Sequence, residues 1–470
     1  MDIPAGIFKS YDIRGTYPDQ LNEENAVPIT KAIYAFFKKQ FPNKEKLAVV
    51  VGRDMRTSTP AIFEAVSKTL LELGADVIDP GLVSTPTFYY AVYHYDYDCG
   101  MMITASHNPK NYNGIKIVTN PNKGGGIIKI GKPTGMDDIR QMALDMVEPE
   151  KASQPGVIHV IEDTVVEEVQ SALDIMRRPN LNAFKVAADP ANAMGALYVE
   201  ELYKHIPGEL IKLNFELDGT FPSHAADPLD PKNNEPVQEA VKKHGADLGL
   251  SLDGDGDRIF FIDEKGEVVP PSMITALVAK ELLREHPGEK ILFDIRYIMT
   301  NKKITEESGG VPVVTKVGHA YITEKMNEGG GIFAGESSSH YFFKSTGNAE
   351  GPLLVILHVL KAMTEQGKTL SQLVSEVKRS QESGEMNFRV KNGKEIIEKL
   401  KELHADGEIT ELDGVAVNYP DWRFSLRMSN TEPLLRLNVE EEVEGYQSRH
   451  EKLVELIKEH AVFDEETSGH

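Results

Sequence analysis

Asp253, Asp255 and Asp257 alternate with Gly254 and Gly256 and are followed by Arg258. An extended loop of that spacing turns three carboxylates to one side, and the glycines permit a close approach. Three hard oxygen ligands with room for further oxygens suit Mg²⁺ better than Zn²⁺. Arg258 beside them can bond a phosphate oxygen and offset carboxylate charge. Two other readings share the spacing. An EF-hand would place Glu264 at its last ligand position, but it needs glycine where Arg258 stands and helices where strands are expected. A metal-dependent phosphatase of the haloacid-dehalogenase type would use Asp253 as nucleophile, yet its third polar position is Thr or Val rather than Asp257. A solvated acidic turn is the bland alternative.

Three further polar segments add complementary chemistry. Thr104-Ala105-Ser106-His107-Asn108-Pro109 follows an apolar run, and the proline disfavours helix just before it, which holds Ser106 and His107 in a loop. A serine hydroxyl needs a base or an electrophile to act as nucleophile; His107 and Lys116 are the candidates, against an ordinary Ser-His-Asn turn. Glu336, Ser338 and His340 follow the glycine-rich run 329–335. A carboxylate and a hydroxyl on such a loop can hold two neighbouring sugar hydroxyls, and His319 can complete the set. Arg427, Ser429, Asn430 and Thr431 supply a guanidinium, hydroxyls and successive N–H groups, the parts of a phosphate nest. Tyr11 and Arg14, in Tyr11-Asp12-Ile13-Arg14-Gly15, supply another phosphate-facing arginine. Arg53 and Asp54 read as an ion pair at a strand end.

The elements that must carry these segments alternate apolar strands with amphipathic helices. Strands over 47–52 and 75–79 bracket a helix over about 59–74. The rhythm returns at 184–190 and 248–252, and again at 290–294 and 312–316. Such alternation predicts parallel strands joined by crossover helices; the rounds share layout rather than residue identity. Beyond residue 378 the pattern changes to a charged helix over 394–404, a strand over 422–427 and an amphipathic helix over 446–460. Expected domains are 1–152, 153–256, 257–372 and 373–470. The charged stretch 376–385 reads as a linker that lets the last domain move. With 470 residues, length alone allows three or four domains. Asp plus Glu number 73 against 51 Lys plus Arg, a net charge of −22 that disfavours nucleic-acid or anionic-membrane partners. An anionic small substrate stays compatible, because screening over about 8 Å lets a local basic cluster prevail. The single cysteine, Cys99, forms no intrachain disulfide and suits a reducing compartment. There is no apolar run of about 18 residues to span a membrane. Residues 1–6 show no secretory signal pattern, so a cytoplasmic location is expected.

Taken together, the four segments resemble the α-D-phosphohexomutase superfamily, most closely its phosphomannomutase/phosphoglucomutase branch, from about Phe8 to Leu437 and in the family's motif order. The resemblance implies three related mixed-sheet α/β domains and a smaller α+β C-terminal domain around a central cleft, each giving one loop. It implies that Ser106 carries a phosphoryl group and, with Asp253, Asp255 and Asp257, holds Mg²⁺. Phosphoryl transfer between C1 and C6 of mannose or glucose phosphate would pass through a hexose 1,6-bisphosphate, which also acts as activator. Tyr11, Arg14, Arg296, His319, Glu336, Ser338, Arg427, Ser429, Asn430 and Thr431 would bind substrate. His107, Lys116, Arg258 and His340 would join Ser106 in catalysis. Ser339 stands where the family's sugar loop has glycine, and Arg296 where it has lysine. The metal loop and the Ser-Asn-Thr-Glu-Pro cradle favour this branch over phosphoglucosamine mutases, which show alanine in the one and Ser-Gly-Thr in the other. A sugar-phosphate phosphatase and a noncatalytic phosphosugar-binding protein are the remaining alternatives. A monomer or homodimer acting on hexose phosphates is expected.

Overall fold

The computed structural model describes residues 3–121, 123–429, 434–442 and 446–463, with no account of the side chains of 446–448. Four sheets follow one another along the chain. The first has seven strands, ordered Ile13–Thr16, Tyr112–Thr119, Cys99–Ile103, Ala48–Arg53, Asp76–Asp79 and Ile158–Val160, with Ile128–Lys129 beside Tyr112–Thr119. The second has five: Val268–Val269, Ile259–Ile262, Leu248–Leu252, Phe184–Asp189 and Gly208–Lys212. The third also has five: Val311–Thr315, Lys290–Asp294, Phe333–Gly335, Tyr341–Phe343 and Ala349–Glu350.

Each of these three sheets is mixed in the same way. Its central strands are parallel, as the alternation with helices predicts, and the last of them is answered by an antiparallel neighbour. Cys99–Ile103 pairs antiparallel with Tyr112–Thr119, Leu248–Leu252 with Ile259–Ile262, and Phe333–Gly335 with Tyr341–Phe343. The loop at each reversal is one of the polar segments singled out above. Ligand sites of open α/β sheets favour such carboxyl-end switch points. The fourth sheet, six-stranded and antiparallel in every pairing, is built on Trp422–Met428 and Leu434–Glu441. Helices Gly393–Leu403 and Tyr446–His460 cover it.

The helices between strands start where the sequence allows. Proline stands in the first turn of Thr59–Glu72, Thr85–His94, Pro271–Glu285 and Pro352–Gln366, where its missing N–H costs nothing. The buried apolar residues form a large core on one face of the first sheet and another under the fourth. A third is continuous across the second and third sheets, running from Val186 and Leu250 through Ile274 to Phe293 and Leu357.

The first sheet meets the third through polar contacts. Tyr11 Oη donates to the Val317 carbonyl at 3.0 Å, and Asn327 Nδ2 to that of Ile127 at 2.9 Å. Lys129 and Glu350 form a buried ion pair, and the Lys129 ammonium also faces the rings of Tyr89 and Phe342 at 4.7 and 4.8 Å. Burial lowers the pKa of Lys129, and Glu350 partly restores it. Removing one partner of a buried pair leaves an uncompensated charge. Lys129→Met is therefore expected to destabilise the protein by about 3 kcal/mol, read as a lowered denaturation midpoint, with part of the loss recovered in Lys129→Met/Glu350→Leu.

Candidate active site

The Ser106 loop is held from behind by one buried guanidinium. Arg56 donates to the carbonyls of Ser106 and Asn108 at 2.7 Å each, Pro109 at 2.8 Å and Tyr112 at 3.1 Å, and pairs with Asp54 at 3.2 Å. This grip keeps Ser106 at φ 50°, a left-handed conformation a non-glycine residue adopts only when its surroundings impose it. Arg14 reaches the loop's front, donating to Asn108 Oδ1 at 2.5 Å and pairing with Asp12. Ser106 is buried, and its Oγ donates to Asp253 Oδ2 at 2.8 Å. His107 Nδ1 lies 3.3 Å from Ser106 Oγ. Burial, then the charges of Arg258 and Arg14, push the His107 pKa well below its usual value, so its ring is neutral.

The metal-loop carboxylates come together as their spacing predicts: oxygens of Asp253, Asp255 and Asp257 all lie within 4.8 Å of one another, buried. Burial, then Asp255 and Asp257, raise the Asp253 pKa well above the carboxylate range. Lys116 bonds Asp255 Oδ2 at 2.5 Å and Asp257 Oδ2 at 2.6 Å; burial opposes its charge, but these two carboxylates outweigh it and hold it as an ammonium. Thr85, opening helix Thr85–His94, donates Oγ1 to Asp255 Oδ2 at 2.6 Å and its N–H to the Asp255 carbonyl at 2.8 Å. Asp255 Oδ1 is buried without a hydrogen bond, an acceptor left for a ligand. The all-oxygen donor set and this orphaned oxygen fit a hard divalent cation. The EF-hand reading fails, since strands flank the loop. Gly254 explains the close approach: a Cβ there would stand 2.2 Å from the Ser106 carbonyl oxygen.

The third segment folds over this pair. His340 Nδ1 meets Glu336 Oε2 at 2.9 Å and Ser338 Oγ at 3.0 Å, and its Nε2 lies 3.2 Å from Asp257 Oδ1. Burial disfavours charge on His340, but Asp257 and Glu336 outweigh it and lift its pKa to about 9. Glu336 also accepts the Gly318 N–H at 2.8 Å and lies 3.5 Å from Arg296. Ser339 adopts φ 73°, so the chain keeps the backbone shape of a glycine there with a side chain in place. Its Oγ donates to the Ile259 carbonyl at 2.7 Å, tying the sugar-type loop to the strand that leaves the metal loop. His319 packs against Tyr11 with the rings tilted by 54° and their centres 5.2 Å apart, and its Nδ1 makes no hydrogen bond. Arg258 Nη1 is likewise without a hydrogen bond, 3.9 Å from Asp227 Oδ1.

Arg427 is the next-to-last residue of strand Trp422–Met428, buried, with Nη2 3.3 Å from Glu385 Oε2 and no hydrogen bond on Nε. Ser429 follows it, its N–H bonded to the Leu434 carbonyl at 2.7 Å; Asn430 and Thr431 lie outside the described residues. Arg296 pairs with Asp294 at 2.9 Å and faces Glu336 and Glu385. Ser106, His107, Lys116, the three aspartates, Arg258, Glu336, Ser338 and His340 thus share one chain of contacts, while Arg427 and Arg296 gather around Glu385.

Two sequence readings need correction. The stretch 376–385 does lead from the third sheet to the fourth, but it is bonded in place instead of hanging free: Gln381–Glu382 joins the fourth sheet, Ser272 donates to Glu382, and buried Ser380 donates to Glu440 Oε1 at 2.8 Å. Arg53 and Asp54 do not pair with each other; Arg53 pairs with Asp79, and Asp54 serves Arg56. Arg56, Thr85, Asp227 and Glu385 are the residues the sequence reading missed. For Arg56 the available signal is a second arginine just past a strand that already has its charged end.

Models of the phosphoglucomutase/phosphomannomutase family match the chain in four successive pieces: α/β/α domain I over residues 5–130, domain II over 164–266, domain III over 270–380 and the C-terminal domain over 385–452. The chain is 36% identical to the phosphohexose mutases of Xanthomonas campestris pv. campestris over 94% of its length and 95% of theirs. It belongs to this family. A phosphomannomutase of Methanocaldococcus jannaschii is 37% identical over 92% of the chain and 93% of its own length. The crystal structure of a phosphoglucomutase/phosphomannomutase family protein from Burkholderia thailandensis superposes with a TM-score of 0.85 at 29% identity, covering 98% of this chain and 99% of that one. The four sheets thus correspond to the four domains of an α-D-phosphohexomutase.

The contact between Gly254 and the Ser106 carbonyl makes the two loops one unit. Gly254→Ala must move them apart, and a displacement near 1 Å at a reacting centre costs about a hundredfold in rate. The variant is expected to lose that much kcat while destabilised by about 1–3 kcal/mol; unchanged kcat in the folded variant would show that the loops need not touch.

Proposed function

We propose that this phosphohexomutase moves a phosphoryl group between C1 and C6 of mannose or glucose phosphate through a phosphoserine at residue 106. The observation that carries the reading is the 2.8 Å bond from Ser106 Oγ to Asp253, a buried hydroxyl set against a carboxylate triplet. Asp253, Asp255 and Asp257 would hold Mg²⁺ together with an oxygen of the serine-bound phosphate. Bound there, the cation offsets charge on the transferring group, where most of the catalysis of phosphoryl transfer lies.

The residues divide the remaining work. In the first half-reaction the phosphoserine O–P bond breaks as the free hydroxyl of the hexose monophosphate forms its own O–P bond, giving the 1,6-bisphosphate and unmodified Ser106. The hydroxyl proton passes to a base of the site. Neutral His107 can accept a proton; Lys116 and His340 enter as cations and can give one. Arg258, with an unused donor at Nη1, can bond the transferring phosphoryl. Glu336 and Ser338 hold the sugar hydroxyls in both orientations, with His319 and Tyr11 at the edge. Arg427 to Thr431, with Arg14 and Arg296, clamp the phosphate that is not transferring. In the second half-reaction Ser106 Oγ gives up its proton to a base of the site and bonds the other phosphorus of the bisphosphate as that phosphorus parts from its sugar oxygen, which takes a proton and leaves as the hydroxyl of the product monophosphate. The bisphosphate is thus both intermediate and activator.

A net charge of −22 and a single buried cysteine support a cytoplasmic enzyme of hexose phosphates without nucleic-acid or anionic-membrane partners; no helix among the described residues is long and apolar enough to cross a membrane.

Ser106→Ala is expected to fold and to lose turnover by a thousandfold or roughly that. Incubation with glucose 1,6-bisphosphate should add the mass of one phosphoryl group to the parent protein at Ser106 and none to the variant. Label elsewhere, or turnover in the variant, would remove the phosphoserine. Asp255→Asn takes one charge from the triplet, and the Mg²⁺ concentration for half-maximal activity is expected to rise about tenfold or more; an unaltered requirement would place the cation elsewhere.

A further inference from the structure

Three guanidiniums converge on the carboxylate of Glu385: Arg296 at 3.8 Å, Arg427 at 3.3 Å and Arg436 at 2.8 Å. Arg296 belongs to the third sheet's domain, just past strand Lys290–Asp294. Arg427 and Arg436 stand opposite each other on the two long strands of the fourth sheet. Arg296 and Arg427 are nearly buried, with side chains 7% and 4% exposed, and Arg427 keeps an unpartnered Nε. Burial, then the like charge of Arg296, lower the Arg427 pKa. Glu385 and Arg436 are the more exposed members of the cluster, at 22% and 23%. Glu385 precedes strand Met386–Arg389, which pairs with the strand that bears Arg436. Arg296 has Asp294 and Glu336 as further counter-ions, and the charge of Asp413 adds to that of Glu385 around Arg427.

We propose that Glu385 is a resident anion of the phosphate clamp, occupying the guanidinium fork in the free enzyme and giving way to the phosphate of the sugar. The inference rests on the clamp reading of Arg427 given above. A carboxylate presents two oxygens to a guanidinium in the geometry a phosphate uses, but with one charge against about −1.5 to −2 for a phosphate monoester. The exchange therefore favours the substrate while never leaving the guanidiniums uncompensated. It also sets a threshold: an anion without the binding energy of a sugar ring must still displace or crowd Glu385, so bare inorganic phosphate is discouraged. On product release the carboxylate returns, which speeds departure from a fork that would otherwise hold phosphate tightly.

The test is competitive inhibition of the full-length enzyme by inorganic phosphate, with Glu385→Gln, Glu385→Asp and Arg427→Ala compared under one salt concentration. Removing one unit charge a few ångströms from a bound anion in a partly screened site is worth about tenfold. Glu385→Gln should lower the inhibition constant of phosphate by that factor and lower KM and kcat together, since substrate binds more tightly and product leaves more slowly. Glu385→Asp, which keeps the charge but withdraws it, should move the same way by less, and it serves as the measurement if the glutamine variant does not fold. A structural brace would show lost stability with phosphate inhibition unchanged or weakened, and that result overturns the proposal. Arg427→Ala separates the two readings. If it leaves phosphate inhibition unchanged, the clamp itself is misplaced; if it weakens inhibition while neither Glu385 variant tightens it, the role of Glu385 alone falls.

Discussion

Asp253, Asp255 and Asp257 are no more than 3% exposed, and three carboxylates so close in a low-dielectric setting cannot stand alone. Their relief comes from other parts of the chain. Lys116 arrives from the first sheet, Thr85 from the helix Thr85–His94 packed on it, His340 from a loop of the third sheet, and Ser106 offers its hydroxyl. The acidic loop therefore works as the keystone of domain assembly: docking the first and third sheets against the second satisfies it, and separating them exposes it. Charge that would destabilise one isolated domain becomes a reason for several to hold a fixed arrangement.

The three mixed sheets meet this demand with one device. In each, a parallel strand runs out at its carboxyl end and the chain returns beside it antiparallel, leaving a short loop at the rim. Such loops carry little regular backbone bonding, so each is stiffened by a neighbour. Arg56 takes the carbonyls behind Ser106, and Ser339 ties its loop to Ile259. Both Ser106 and Ser339 sit in the left-handed region, a cost of order 1–3 kcal/mol each that the surrounding bonds offset.

What the sequence makes legible follows from how local each signal is. The Asp-Gly alternation, the Ser-His-Asn-Pro turn and the glycine-flanked Glu336 segment declare themselves because side-chain type and backbone need coincide over a few residues. Strand and helix positions follow from apolar periodicity, and helix Tyr446–His460 lies where that periodicity puts it. Partner choice is a different matter. Arg53 next to Asp54 looks like a pair, but Arg53 closes its strand and turns to Asp79, while Asp54, just past the strand, turns to Arg56. Glu385 lies in a stretch whose charge reads as a linker, and only the arrival of Arg296, Arg427 and Arg436 from distant positions gives it a role. Ser339 looks like a loss of backbone freedom and is instead a serine made to take the same path.

The apolar core shared by the second and third sheets bears on how such a protein can be taken apart. No polar seam divides those two units, so they form one cooperative block, whereas the first and fourth sheets each keep a core of their own. Chimaeras between relatives should respect that block as a single inheritable module, with crossover points chosen at its margins and not through its middle.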